Sequence, residues 1–383
     1  MLNDNLKRML GEVLREMADT AAGGFSGPKP RIGVTTTGSE HGTAEIVRGA
    51  EMAQRMCPDL EVILIGPRAE SNLSQIPAGD CLSEEHRVME KALADKTVDA
   101  AVTMHYNFPI GVATIGRVFT PGRGREMFLA TTTGTMATDR AEAMVLGAVG
   151  GIIAAKACGK SDPTVGILNV DGARQAERSL RSLQAGGYQF TFAGSQRADG
   201  GAFMRGNDLL TGTPDVMVMD TLTGNVMMKV LSAYTSGGDY EASGFGYGPG
   251  IGEGYEPIIL ILSRASGAPV VAGAVRYAGD LVRGDMKGVA AKEFAAVRAV
   301  GLGRAAESGK PEAPTEAAPP PAKTVTEEIP GVDILEIDDA VRILWRRGIF
   351  ATTGMGCTGP VIMVAGEDKE KAKKGLQESG YLG

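Results

Sequence analysis

Thiols, aromatic rings and long apolar runs are all scarce in this chain. Its four cysteines, Cys57, Cys81, Cys158 and Cys357, lie far apart and nowhere form CxxC. That spacing argues against a zinc site, and a disulfide framework is not expected in so long a chain with no leader. Asp4, Lys7 and Arg8 interrupt the N-terminal residues, which do not fit a signal peptide. The longest nearly uncharged stretch, Ala143 to Ala155, is bounded by Glu142 and Lys156 and contains Gly147, Gly150 and Gly151. It is too short to span a bilayer and reads as a buried helix, so a cytoplasmic protein with no membrane span is expected. Cations are outnumbered, 39 Lys and Arg against 46 Asp and Glu, for a net charge of -7. Nucleic-acid binding is therefore not expected, because neutralising phosphates takes clustered Lys and Arg. A local anion pocket built from backbone N–H groups stays open.

Apolar residues make up 43 % of 383, enough to bury a sizeable core in two or three folding units. Only 5 % are aromatic while glycines number 54, a balance suited to tight turns and close helix–sheet packing. Leu2, Leu6, Met9, Leu10, Val13, Leu14 and Met17 recur at helical spacing, so residues 1–30 read as an amphipathic helix and linker. That stripe fits packing on its own domain or an intersubunit contact. From Arg31 to residue 303, strand-like runs (RIGVTT, EVILIG, VDAAVTM, TVGILNV, YQFTFAG, DVMVMD, PIILILS) alternate with helices. Nearly all-apolar strands predict an α/β body whose open, mostly parallel sheet carries helices on both faces. The first helix is expected to be capped near Thr43, and Ser83 is the expected cap of the second. Residues 304–330 are rich in Pro, Ala and Glu and read as an extended linker. Residues 331–383 read as a small C-terminal α/β module carrying Cys357. Its closing helix is expected to pair Glu367 with Lys371 and Glu370 with Lys374.

Two nucleotide motifs fail on inspection. Gly159-Lys160-Ser161 ends like a P-loop, but Ala154 stands where that motif needs glycine. GFGYGPGIGEG at 244–254 nowhere meets GxGxxG and is expected to be a mobile or ligand-covering loop. Three segments remain. Thr37, Gly38, Ser39 and His41 lie between a strand and a helix, where open α/β sheets place ligands and helix N–H groups meet anions. A plain capping turn fits the same residues. Thr223, Gly224, Asn225 and Lys229 open a helix after DVMVMD, so Thr223 and Asn225 either cap it or face a phosphate. Cys357 sits among Gly354, Gly356 and Gly359, where missing side chains let another molecule approach the sulfur. Cys158 reads as packing, and Cys57 and Cys81 as bystanders.

RIGVTTTGSEHGTAEIVRGA, PTVGILNVDG and above all GNDLLTGTPDVMVMDTLTGNVMMKV resemble the bacterial phosphate acyltransferases of phospholipid synthesis. The resemblance spans about residues 31 to 300 and implies a fold related to phosphotransacetylase and isopropylmalate dehydrogenase. The chain departs from that family at Met104-His105-Tyr106-Asn107-Phe108-Pro109 and in its added linker and tail. With GMGCTGP in the tail, the whole chain resembles the alpha subunits of component C of glycine reductase, shared by sarcosine and betaine reductases. That resemblance implies an acetyl phosphate-forming subunit in which phosphate attacks an acetyl thioester on Cys357. It implies as partners a component C beta subunit, selenoprotein A of the reductase and inorganic phosphate, in an oligomer. Phosphate would be held by Gly38–His41 and Thr223–Asn225, with Lys229 as a charge donor. No metal is expected, and no cofactor beyond phosphate as substrate. Two alternatives stay open: an acyl-carrier or CoA thioester:phosphate acyltransferase in which Cys357 is incidental, and a noncatalytic scaffold subunit.

Overall fold

Short apolar strands alternate with helices in the computed structural model, which describes residues 29–133, 140–196, 200–301, 318–330, 332, 337–356, 359–379 and 381–382. The N-terminal stripe, most of the linker and Cys357 lie outside the described residues. The chain opens with β1 (Arg31–Thr35), α1 (Thr43–Met56), β2 (Glu61–Gly66), β3 (Ser74–Pro77), α2 (Leu82–Ala94) and β4 (Ala100–Met104). Next come β5 (Ala113–Phe119), β6 (Glu126–Ala130), α3 (Arg140–Ala157), β7 (Thr164–Leu168), α4 (Ala173–Ala185) and β8 (Thr191–Phe192). They are followed by β9 (Phe203–Met204), α5 (Gly206–Thr211), β10 (Val216–Val218) and α6 (Thr221–Ala233). The body closes with β11 (Gly248–Ile251), β12 (Ile259–Leu262), α7 (Ala268–Arg283) and α8 (Met286–Ala299). A C-terminal unit contains β13 (Glu327–Pro330), α9 (Ile337–Arg346), β14 (Ala351–Gly356), β15 (Gly359–Val364) and α10 (Lys369–Glu378).

The body is a 12-stranded mixed sheet in the order β3-β2-β1-β4-β12-β11-β5-β6-β10-β7-β8, with β9 also on β7. Most pairs are parallel and both faces are covered. Val216 and Val218 of β10 point to the face packed by α1, α3, α4, α7 and α8, while Met217 points to the face under α2 and α6. Burial on both sides is why these strands are apolar throughout. α3 is apolar around its whole circumference because it is buried along most of its length.

The centre of the sheet departs from parallel. β12–β11, β11–β5 and β5–β6 are all antiparallel. Three reversals make the parallel strands of one half run opposite to those of the other. The stagger along β11 and β5 then sets the C-terminal ends of the two halves against one seam. Thr132, just past β6, donates its hydroxyl to the Tyr247 carbonyl at 2.7 Å, and the Tyr247 amide donates to Ile261 in β12 at 3.0 Å.

Several local expectations change. The glycine-rich 244–254 segment is not a covering loop: its Gly248–Ile251 stretch is β11, buried in the middle of the sheet. Ser83 does not cap α2, whose cap is Cys81, while α1 begins at Thr43 with Gly42 in the cap position; neither cap residue bonds a helix amide through its side chain. The last residues of the composition-defined linker form β13, antiparallel to β15, because Ile329 is buried in the core of the C-terminal unit. Glu367 lies in a turn before α10 and accepts from Lys323 at 2.6 Å, while Glu370 pairs with Lys373 at 3.9 Å.

Candidate active site

Three strand ends, β1, β4 and β12, converge at the seam. Thr35 of β1 donates its hydroxyl to Thr103 Oγ1 of β4 at 2.8 Å, and His86 Nε2 of α2 lies 3.0 Å from the same oxygen. Past β1, the amides and hydroxyls of Thr36 and Thr37 all donate to the buried Glu85 carboxylate, at 2.8–3.2 Å. The Thr37 donors are therefore committed to an internal anion. Gly38, at φ +90, reverses the chain, a conformation that favours glycine. The Gly38 carbonyl accepts from Arg264 Nε at 3.3 Å, and Glu40 N donates to the Arg264 carbonyl at 2.9 Å. Ser39 Oγ accepts from the His41 amide at 3.1 Å. His41 Nε2 is 3.2 Å from the Ala265 carbonyl, so that exposed nitrogen carries the ring proton.

The second segment is held differently. Asp220 caps α6, accepting from Thr223 N at 3.1 Å and Thr223 Oγ1 at 2.5 Å. Gly224 lies so close to the Thr131 carbonyl that an added Cβ would fall 1.6 Å from its oxygen. Asn225 Nδ2 donates to the Thr132 carbonyl at 3.1 Å. Gly224 and Asn225 thus fasten α6 to the end of β6, while Thr223 is taken up by the Asp220 cap. Lys229, farther along the helix, reaches the end of β12: its Nζ donates to Ser263 Oγ at 2.7 Å and to Glu241 Oε1 at 3.0 Å. Glu241 is buried and also accepts from Tyr247 and Ser266. The loop at 263–266 therefore joins the Gly38–His41 turn to Lys229.

Sequence reasoning missed Arg264, Glu241 and His105, all at this seam. The available signal was the crossing from apolar β12 through Ser263-Arg264-Ala265-Ser266-Gly267 into α7, the same strand-to-helix position as the β1–α1 turn. A cavity of about 470 Å³ lies elsewhere, at the starts of β4 and β12, and none of the site candidates lines it. Among the described residues no group of three His, Cys, Asp or Glu is placed to hold a metal ion.

A model for a family described as "Fatty acid synthesis protein" matches residues 30–363. The chain is 51 % identical, over 383 residues and 99 % of each protein, to the glycine/sarcosine/betaine reductase complex component C subunit alpha of Peptoclostridium acidaminophilum. It belongs to the component C alpha-subunit family. A phosphate acyltransferase of Rhodospirillum centenum is 21 % identical over 243 residues, 52 % of this chain and 66 % of that protein. The crystal structure of a branched-chain phosphotransacylase from Enterococcus faecalis aligns with a TM-score of 0.43 and 16 % identity, over 66 % of this chain and 99 % of that one.

Within this component C alpha chain, two of the described thiols are poor nucleophiles. Burial pushes Cys158 up to about 12 against the attraction of Arg117, whose Nη1 is 3.8 Å away. Arg117 is itself buried between Glu126 and Asp280 and stacked on Phe245. Burial also raises Cys57. Cys81 is exposed beside Ser83 at the start of α2.

The histidines under the seam make stability depend on pH. Burial outweighs hydrogen bonding to Met104 and lowers the His86 imidazole below its ordinary 6.5. Below that value the unfolded chain binds a proton that the folded chain does not. Stability is therefore full above about pH 6.5 and lost as pH falls towards the lower folded value, by at most ~1.4 kcal/mol per pH unit per histidine. Melting temperatures between pH 7 and pH 5 should show this loss, and His86→Gln should flatten it. An unchanged slope in the variant would place the proton uptake elsewhere.

Proposed function

We propose that this chain forms acetyl phosphate within a glycine-type reductase, using inorganic phosphate to release an acetyl group from a thioester. The match to a component C alpha subunit over 99 % of both chains carries this reading. The tail thiol Cys357, in its glycine-rich setting, is the proposed acetyl carrier. A phosphate oxygen forms a bond to the thioester carbonyl carbon, the carbon–sulfur bond breaks, and the sulfur leaves with the proton that hydrogen phosphate brought. Lys229 and Arg264 supply positive potential at the seam. The Gly38–His41 turn, with Ser39 and His41, borders it, while Thr37, Thr223, Gly224 and Asn225 hold that geometry through their internal bonds. Fixed cations and dipoles of this kind stabilise the tetrahedral oxyanion more than water does.

The proposed setting is a cytoplasmic, oligomeric assembly with a beta subunit and the reductase selenoprotein, needing no bound cofactor. Among the described residues no helix is long and apolar enough to cross a membrane. Incubating the full chain with acetyl phosphate and mapping its peptides by mass spectrometry tests the scheme. One acetyl group, on the peptide containing Cys357 and removed by added phosphate or arsenate, is the expected result. Acetylation spread over several peptides, or none, would overturn the carrier role.

A further inference from the structure

The residue after β4 is His105, and its backbone is left-handed at φ +47. For a residue with a side chain that conformation costs ~1–3 kcal/mol, and such strain gathers where a site requires it. The Nε2 atom of His105 is buried with no hydrogen-bond partner among the described residues. An unmet buried nitrogen costs a further ~1–3 kcal/mol. Both costs fall on one imidazole at the seam. Met104, just before His105, lies against the turn after β1, where a Cβ on Gly38 would stand 3.3 Å from Met104 Cβ. The charged and titratable groups whose fields reach the ring are Arg264 from the β12–α7 loop, Lys229 from α6, His86 from α2 and Glu40 from the β1–α1 turn. Burial, then Arg264, His86 and Lys229, lower this imidazole below its ordinary 6.5, with Glu40 opposing, so it is neutral at pH 7. Asn107, two residues on, borders the C-terminal unit: a Cβ on Gly354 would lie 2.8 Å from its Oδ1. Gly354 belongs to β14, the strand that runs toward Cys357 in the chain.

We propose that His105 is the proton-transfer residue of the phosphate site, its Nε2 taking the proton of hydrogen phosphate during attack and returning it to the departing sulfur. This rests on the acyl-phosphate reading given above. The balance is closed: a carbon–oxygen bond forms, the carbon–sulfur bond breaks with its electron pair on sulfur, and one proton passes from phosphate to sulfur through the ring. Arg264 and Lys229 serve two ends, attracting the anion and keeping the ring unprotonated until the anion arrives. A bound dianion offsets those cations, so phosphate raises the proton affinity of the ring at the moment it has a proton to accept.

The test uses the full chain and inorganic phosphate. In His105→Gln, which keeps hydrogen-bonding ability without a titrating ring, arsenate-dependent breakdown of acetyl phosphate should fall about 10²-fold or more in kcat, with KM little changed. The rise of rate with pH that reports an ionising base should vanish as well. An unchanged kcat, or a change in KM alone, overturns the proposal. A second measurement needs no variant to fold: the imidazole NMR resonances of the three histidines, followed against pH with and without phosphate. The His105 midpoint should rise when phosphate is present, and a midpoint that stays put sinks this inference alone. Wild-type protein with no phosphate- or arsenate-dependent turnover would instead sink the acyl-phosphate reading.

Discussion

Cys357→Ala is expected to lower acetyl phosphate–arsenate exchange by ~10³-fold or more, the order of loss seen when a covalent nucleophile is removed. Alanine has no atom on which to hold an acyl group, so the loss should appear in kcat and should resist higher substrate concentrations. Two of the described thiols offer no substitute. Cys158 is held up to about 12 by burial beside Arg117, and Cys57 is raised in the same direction. Only a thiolate attacks, so both are largely silent near neutral pH. Cys81→Ser, at an exposed position, is the matched control and should keep its activity. Iodoacetamide should label Cys357 fastest, and acetyl phosphate should protect it. If Cys357→Ala keeps its exchange activity, transfer to phosphate is direct at the seam, as in an ordinary acyl-carrier or CoA-dependent transferase.

Gly248→Ala is expected to remove ~4 kcal/mol or more of stability and to leave little soluble protein. Two effects combine there. Its φ of +94 disfavours any side chain, and an added Cβ would stand 1.6 Å from the Ile115 carbonyl oxygen in the neighbouring strand. Ile115 lies in β5, which is hydrogen-bonded to β11 on one side and to β6 on the other, so withdrawing it would break sheet pairing. Gly254→Ala separates the two effects: its φ is +72, but nothing lies within 4 Å of the added atom. That variant should lose only ~1 kcal/mol, the conformational term alone. Urea midpoints of both variants measure the difference. Equal losses would mean that the close approach in β11 contributes nothing.

Much of the framework was readable before any coordinates. β1, β2, β4, β7, β10 and β12 are continuous apolar runs, and α1 follows its own periodicity from Thr43 to Met56. β5, β6 and β11 escaped notice for physical reasons. β5 contains Arg117, whose charge is balanced only by Glu126 and Asp280 from distant parts of the chain. β11 reads Gly-Pro-Gly-Ile, which no local propensity would assign to a strand. Gly248 is there because β5 comes too close for anything larger, and Gly250 because the Phe108 ring lies against it, and neither neighbour can be seen from the segment itself. The cap of α6 was similarly ambiguous: Asp220, Thr223 and Asn225 are all good capping residues. Only the position of β6 assigned Asn225 to the Thr132 carbonyl and left the cap to Asp220.

The sequence by itself determined the α/β class, the two-sided burial of the strands, the strand-to-helix turns at Gly38 and Thr223, and the family likeness. Each of these is written in contiguous residues, where pattern and local conformational preference suffice. Only the tertiary structure decided that two oppositely directed half-sheets meet end to end. It also decided that Thr37 is committed to Glu85, and that Lys229 and Arg264 come within electrostatic reach of His105. Those relations join residues far apart in the chain, and charge and hydrogen-bond donors acquire a role only once a distant partner has claimed or spared them.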